Sequence, residues 1–241
     1  MQQNISSVCE FLTAIKESAL EARMFRGQTQ DWPLVPSIGR HSEAVNAYDN
    51  WQGFHSSLIR QYKRLGRPYI KSLALNETDT WVHGQHHGLP TRLLDWSTNP
   101  LKALFFSVND PVDDEQDGVL WALIYSSWRE VLDDQYRHLW DSELIPLMPD
   151  QSNARLIQQE GCFLSYPLPK NCEPLTSVNQ LQCAEDDGLS FAKIIIPAKS
   201  KKFLRNELAA LGIRYRLLFP DIEGVAKGIV MEDLASIAIR L

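Results

Sequence analysis

Between Gln85 and Pro100 the chain stops one helix and starts another, and this constrains the fold more than any other feature. Gly88 and Pro90 end whatever helix precedes them, since glycine accepts the left-handed cap and proline cannot continue the hydrogen-bond ladder. Asn99-Pro100 starts the next one: asparagine accepts from orphan amides, and proline at the first helical position loses no bond. Two histidines, an arginine, an aspartate, a tryptophan and the hydroxyls of Thr91, Ser97 and Thr98 are compressed between these signals. A connection of this kind would aim side chains inward, so the segment is the first candidate for a site.

The flanking elements follow from periodicity. Ser7 and Glu10 have capping-box spacing, with Val8, Phe11, Leu12 and Ile15 on one face, which predicts a helix over residues 7–20. Residues 24–28 read as a short strand, with Asp31-Trp32-Pro33 turning out of it. Ala44, Val45, Tyr48, Trp51, Phe54, Leu58, Ile59 and Tyr62 predict one long helix packed by aromatics. Asn76 with Asp79 caps a third, and Leu101, Leu104 and Phe105 give the helix after Pro100 a buried face. Residues 119–125 form an apolar run expected of a central strand, with further strands at 162–166 and 192–197. A helix begins at Ser200 and stops at Gly212, and Phe219-Pro220-Asp221 starts a last short one. The expected architecture is α+β, a single domain over residues 1–241, helix-rich over 1–85 and strand-rich over 86–241.

Composition narrows the function classes. A formal net charge of -6 over 241 residues removes the broad attraction of a general nucleic-acid or membrane-surface binder. Cys9, Cys162, Cys172 and Cys183 lie without a paired spacing, as expected for a reducing, cytoplasmic setting rather than a disulfide framework or thiolate zinc site. Residues 1–4 lack a basic, apolar leader, and no apolar window is long enough to span a bilayer. His83 and His87 have the spacing of two zinc ligands, but Gly84-Gln85-His86 supplies no glutamate base and weakens the helix, so no metal is expected. No glycine-rich phosphate loop or nucleophile elbow is present, against a kinase or an α/β-hydrolase. Lys199, Lys201, Lys202, Arg205, Arg214 and Arg216 form a basic cluster, expected to be a solvated helix face or, failing that, a phosphate contact.

Several motifs together carry a resemblance. Phe25-Arg26-Gly27-Gln28, Leu34-Val35-Pro36-Ser37-Ile38-Gly39-Arg40, the run from Gln85 to Ser97, and Asn99-Pro100-Leu101-Lys102-Ala103-Leu104-Phe105-Phe106 are similar to the FRG domain family. So are Arg155-Leu156-Ile157-Gln158-Gln159-Glu160-Gly161-Cys162-Phe163 and late segments around Ile195, Gly212 and Asp221, so the resemblance spans roughly residues 20–225. The family is distantly similar to ADP-ribosyltransferase-like folds. That implies split antiparallel sheets around an NAD cleft with an N-terminal helical part, and an enzyme that cleaves the nicotinamide-ribose bond and transfers ADP-ribose to a protein or nucleic-acid acceptor, or hydrolyses NAD. A role as toxin or defence effector would be in keeping, although composition carries no mark of it.

On that resemblance Arg26, His86, Gln159 and Glu160 are the catalytic candidates, and Arg26, Gly27, Gln28, Thr91, Arg92, Asp95, Trp96 and Ser97 the cofactor-binding ones. Arg26 would hold pyrophosphate or ribose through its planar fork, with Gly27 letting backbone approach the ligand. Thr91 and Ser97 would contact the nicotinamide ribose or amide, and Trp96 a base. Gln159 or Glu160 would take the third-motif position and steady an oxocarbenium-like state. Gln159 fits the family pattern better, yet carries no charge, so His86 or Asp95 would have to compensate. Two alternatives stand beside the enzyme: a nucleotide-binding or sensing module, and an interaction domain. Each residue also has a structural reading. Arg26 would pair with Asp95, His86 and His87 would cap or pack, Asp95 would cap a turn or clamp Arg92, Trp96 would be core, and Ser97 and Thr98 would serve the helix start.

Overall fold

The computed structural model describes residues 5–19, 21–70, 76–125, 142–150, 153–186 and 188–234. In chain order the elements are α1 (Val8–Ser18), β1 (Ala22–Gln28), α2 (Ser42–Val45), α3 (Trp51–Gly66), α4 (Glu77–His86), β2 (Leu93–Ser97), α5 (Pro100–Val108), β3 (Gly118–Ile124), β4 (Ile145–Leu147), α6 (Ala154–Gln158), β5 (Gly161–Ser165), α7 (Gln182–Asp186), β6 (Ser190–Ile196), α8 (Lys201–Ala210), α9 (Tyr215–Leu218) and α10 (Ile222–Gly228), followed by a π-helical turn Ile229–Leu234. The fold is α+β, as expected.

Helix boundaries follow the capping chemistry. Ser7 caps α1 by accepting from Glu10 N, but Glu10 returns its bond to the amide and hydroxyl of Ser6 rather than to Ser7. Asn76 accepts from Asp79 N at 2.8 Å, and Asn99 from Leu101 N and Lys102 N. The helix expected over residues 44–62 is instead two. It breaks after Val45, and Asn50 re-caps α3 by accepting from Gly53 N at 2.8 Å. The described residues of 1–85 are mostly helical, with β1 among the helices, and β2 to β6 follow residue 86 interleaved with α5 to α10.

One six-stranded sheet has the order β4-β5-β2-β1-β3-β6, antiparallel throughout. β1 pairs with β3 from Ala22 opposite Ile124 to Gln28 opposite Val119, and β2 pairs with β5 over its whole length. β1 and β2 meet only where Phe25 lies opposite Ser97. Beyond that bridge they diverge, so β4-β5-β2 and β1-β3-β6 are half-sheets joined at one point.

Strand alternation sends neighbouring residues to different cores. Met24, Leu94, Trp96, Trp121, Leu123 and Leu164 pack with Trp51 and Phe54 of α3. Phe25, Leu120, Ala122 and Ile194 pack with α1, α5 and α8 on the other side. Leu93, Ile145, Leu147 and Phe163 pack beneath Trp81, Val82 and Leu156. Trp96 on β2 and Phe191 on β6 bring their rings to 6.3 Å although β1 and β3 lie between them. Four strands spaced about 4.8 Å apart allow that only if the sheet curls toward its α3 face.

Candidate functional site

The segment from Gln85 to Pro100 is not a free connection, for residues 93–97 are the internal strand β2. Both its faces are therefore used. Leu94 and Trp96 go into the α3-face core, and Leu93 beneath α4, while Asp95 is exposed.

Arg26 leaves β1 on the α3 face, as Met24 does, and its Nη1 donates to the backbone carbonyl of Asp95 at 2.5 Å. The guanidinium thus fills the gap where β1 and β2 separate and takes over a carbonyl at the diverging edge of β2. The contact is with the peptide of Asp95. Its carboxylate turns to the other side and accepts from Gln85 Nε2 at 2.7 Å. Gln85 Oε1 in turn accepts from Thr91 Oγ1, which itself accepts from Leu93 N at 3.1 Å. Arg26, Asp95, Gln85 and Thr91 form one continuous hydrogen-bonded chain. Gln85 is the link that residue-by-residue reading passed over. Its place one helical turn after Trp81 and just ahead of the Gly88 stop was the available signal.

Across the sheet, Trp121 on β3 lies opposite Arg26, and the register set by Phe25 and Ser97 places Trp96 on its other flank. Trp96 and Trp121 are buried, at 4% and 8% exposure. Their Nε1 atoms, with Arg26 Nε and Gln28 Oε1, are buried and unpartnered among the described residues. Burial works against the charge of Arg26, nearby Asp95 supports it, and Arg40 opposes it.

A cavity of about 130 Å³ opens on the opposite side of the Asp95 peptide, between α4 and α6. Gln85, His86, Asp95, Arg155 and Gln159 give it polar walls, and Phe163 an apolar one. His86 is held below the usual histidine range, first by desolvation and then by His87 and Arg155, with Asp221 opposing. His86, Asp95 and Gln159 are therefore brought together, while Arg26 reaches them only through the Asp95 backbone.

The remaining candidates have other tasks. Gly27 lies under α5, where a Cβ would sit 1.9 Å from the Ala103 carbonyl oxygen, so helix packing rather than ligand approach accounts for the missing side chain. Arg92 is buried with its guanidinium 5.2 Å from the Trp81 ring centroid. Ser97 Oγ donates to Gln159 O at 2.7 Å and accepts from Asn99 N. Gln159 Nε2 donates to Leu218 O at 3.0 Å. Glu160 has φ 45°, is bound by Lys102 Nζ at 2.9 Å and Asn99 Nδ2 at 3.1 Å, and its carbonyl accepts from Thr98 N. The lysine and asparagine bonds hold its carboxyl below the usual range against desolvation, which is the largest influence and acts in the opposite sense. Lys201, expected on a solvated face, is fully buried and donates to Thr29 O and Asp113 O, both at 2.7 Å. Arg205 pairs with both oxygens of Asp114. No group of three or more metal-ligating side chains occurs among the described residues, and no described helix is long and apolar enough to cross a membrane.

Residues 21–116 match the family model of the FRG domain. This part of the chain belongs to the FRG domain family. The FRG match runs from β1 past α5 and includes Arg26, Gln85, Asp95 and Trp96, whereas Trp121, Gln159 and Glu160 lie beyond it. Ser37 and Ile38, inside the FRG match, dock on Thr91: Thr91 N donates to Ser37 Oγ at 3.1 Å and Ile38 N to Thr91 O at 3.2 Å. No curated protein and no solved structure matches the chain.

Proposed function

We propose that this FRG domain protein binds NAD on the α3 face of its sheet, beside Arg26, as a nucleotide-binding domain of the ADP-ribosyltransferase-like kind. The observation that carries this reading is the row Trp96, Arg26, Trp121 across β2, β1 and β3. It presents a cation between two indoles, with three buried N–H donors that lack partners among the described residues. Leaving such donors unmade costs about 1–3 kcal/mol each, so a ligand rich in oxygen gains by meeting them. Phosphate and ribose oxygens suit the donors, and base rings suit the indole faces. A sheet in two halves that join at one residue pair supports the same reading.

Turnover is the second reading, favoured by the polar cavity at His86, Asp95 and Gln159. It comprises cleavage of the nicotinamide-ribose bond with transfer of ADP-ribose to a macromolecule, or hydrolysis. Electrostatic support for developing positive charge would come from Asp95, the acidic group lining that cavity, since Glu160 is held by Lys102 and Asn99.

The test is titration of purified protein with NAD, followed by incubation with isotopically labelled NAD with and without lysate. Wild type is expected to bind NAD, and Arg26→Lys, which keeps the charge but loses the fork, to bind roughly tenfold more weakly with unchanged circular dichroism. Released nicotinamide with label on macromolecules, abolished by Asp95→Asn or Gln159→Ala, identifies a transferase. Release without label identifies a hydrolase, and binding without release a binding domain. Absence of NAD binding refutes the reading.

A further inference from the structure

The row that holds Arg26 does not end at Trp121. Lys193 on β6 lies opposite Trp121, with its Nζ 5.3 Å from the indole centroid and 2.6 Å from Asp31 Oδ2. Along this stretch runs a cleft of two lobes, about 310 and 470 Å³, which share Trp121, Asn179 and Gln180. The larger lobe is bounded by Asp31, Trp32 and Lys193. Volumes of this order, roughly 300–1,000 Å³, are those of small-molecule sites.

Three observations give the cleft a chemistry. The Lys193–Asp31 pair is partly exposed, the lysine side chain at 33% and the aspartate at 57%, so the ammonium can change partners at small cost. Trp32 keeps 47% of its surface open at the lip, a flat apolar face beside a charge. Trp121 is more than nine-tenths buried, lines both lobes, and its Nε1 has no partner among the described residues.

We propose that this cleft is an anionic nucleotide subsite, in which Lys193 leaves Asp31 for a phosphate, Trp121 Nε1 donates to the same ligand, and the Trp32 indole receives the base. The inference rests on NAD being the ligand beside Arg26, and it assigns residues to the second half of that dinucleotide. Asp31 then acts as an internal competitor that holds Lys193 in place while the cleft is unfilled. A cationic occupant drawn to Asp31 and the indoles would reverse every sign, because Lys193 would be its competitor.

The experiment is calorimetric titration of the full chain with NAD, AMP and, as a cationic probe, tetramethylammonium. The proteins are wild type, Lys193→Gln, Asp31→Asn and Arg26→Lys. Loss of a charge-assisted bond in Lys193→Gln is expected to weaken NAD and AMP by roughly tenfold or more. Freeing Lys193 in Asp31→Asn is expected to tighten both by about twofold to fivefold. If Arg26→Lys weakens NAD while Lys193→Gln and Asp31→Asn change nothing, the subsite is overturned and the reading at Arg26 stands. If wild type binds no nucleotide, both fall. Tetramethylammonium binding that Lys193→Gln strengthens and Asp31→Asn abolishes overturns the subsite in favour of a cation site.

Discussion

Gly27→Ala separates a packing role from a ligand role at the last position of the Phe25-Arg26-Gly27 motif. A methyl group at this position would lie 1.9 Å from the Ala103 carbonyl oxygen and 2.7 Å from both N and Oγ of Ser107. The first distance is more than 1 Å short of the roughly 3.3 Å at which carbon and carbonyl oxygen normally meet. Both obstructing residues belong to α5 and two of the three atoms are backbone, so no rotamer change relieves the clash. The helix is also pinned from β3, where a Cβ on Gly118 would sit 2.4 Å from Ser107 O. It must lift, loosening the buried Ala103, Leu104 and Val108. Overpacking of this kind costs about 1–3 kcal/mol, and rigid backbone on both sides puts Gly27→Ala near the top, about 3 kcal/mol. For a domain of this length each kcal/mol lowers the melting temperature by about 2–4 °C, giving a fall of roughly 6–12 °C. Thermal and urea unfolding followed by circular dichroism, in protein without added nucleotide, reads this directly. A variant that melts within about 2 °C of wild type yet loses NAD binding would refute the packing argument and return Gly27 to the ligand.

Further predictions concern buried polar groups. Lys201→Met leaves the carbonyls of Thr29 and Asp113 without their buried donor and should cost about 2–4 kcal/mol in urea unfolding, whereas Lys202→Met on the exposed side of α8 should be neutral. Asn99→Ala removes the acceptor for Leu101 N and Lys102 N and a donor to Glu160, so about 1–2 kcal/mol is expected in the same assay. His55 is buried against Trp81, and desolvation, then Arg92, holds its pKa well below 6.5. The unfolded chain therefore takes up that proton first as pH falls through about 6.5, so its contribution to stability is present above that pH and lost below it. Unfolding free energies between pH 7.5 and 5 (about 0.5-unit steps suffice to define the slope) should fall less steeply for His55→Gln, and an unchanged slope would remove His55 as a cause.

Legibility of the fold tracked how local the physics was. The caps Ser7, Asn76 and Asn99 and the apolar strand around Leu120 depend on neighbours a few residues away, and all lie where periodicity and capping chemistry put them. Asn50 also carried a local signal, but the apolar spacing from Ala44 to Tyr62 continues across it and conceals the break between α2 and α3. β2 was concealed for a different reason. Leu93 and Leu94 go to different cores, so the strand shows no clean alternation of apolar and polar residues, and its hydroxyls resemble a loop. Lys201 looked like a member of a solvated cluster because nothing nearby in sequence announces Thr29 O and Asp113 O as its partners. For the candidate site, the stretch of chain was legible and the wiring was not. On the structural reading Arg26 would pair with the Asp95 carboxylate, yet the bond goes to a carbonyl at the edge of a split sheet, which only tertiary pairing creates.

The three residues Phe25, Arg26 and Gly27 make sense together because a strand alternates. Phe25 faces the α5 core at 5% exposure and stands opposite Ser97 at the one bridge between the half-sheets. Gly27, on the same side, leaves room for the backbone of α5, which caps itself through Asn99. Arg26 is forced to the opposite side, beside Trp121, at the first position past the bridge, where β2 has begun to move away. A shorter side chain there would leave the Asp95 carbonyl to water or to a ligand. Arginine spans the gap and still keeps Nε uncommitted. Packing on one side of β1 therefore sets the geometry on the other: α5 seated on Gly27 holds β1 in place, and the guanidinium of Arg26 is carried to the seam by the same strand. If NAD binds beside Arg26 as proposed, loosening α5 should thus weaken that binding without touching Arg26, Trp96 or Trp121.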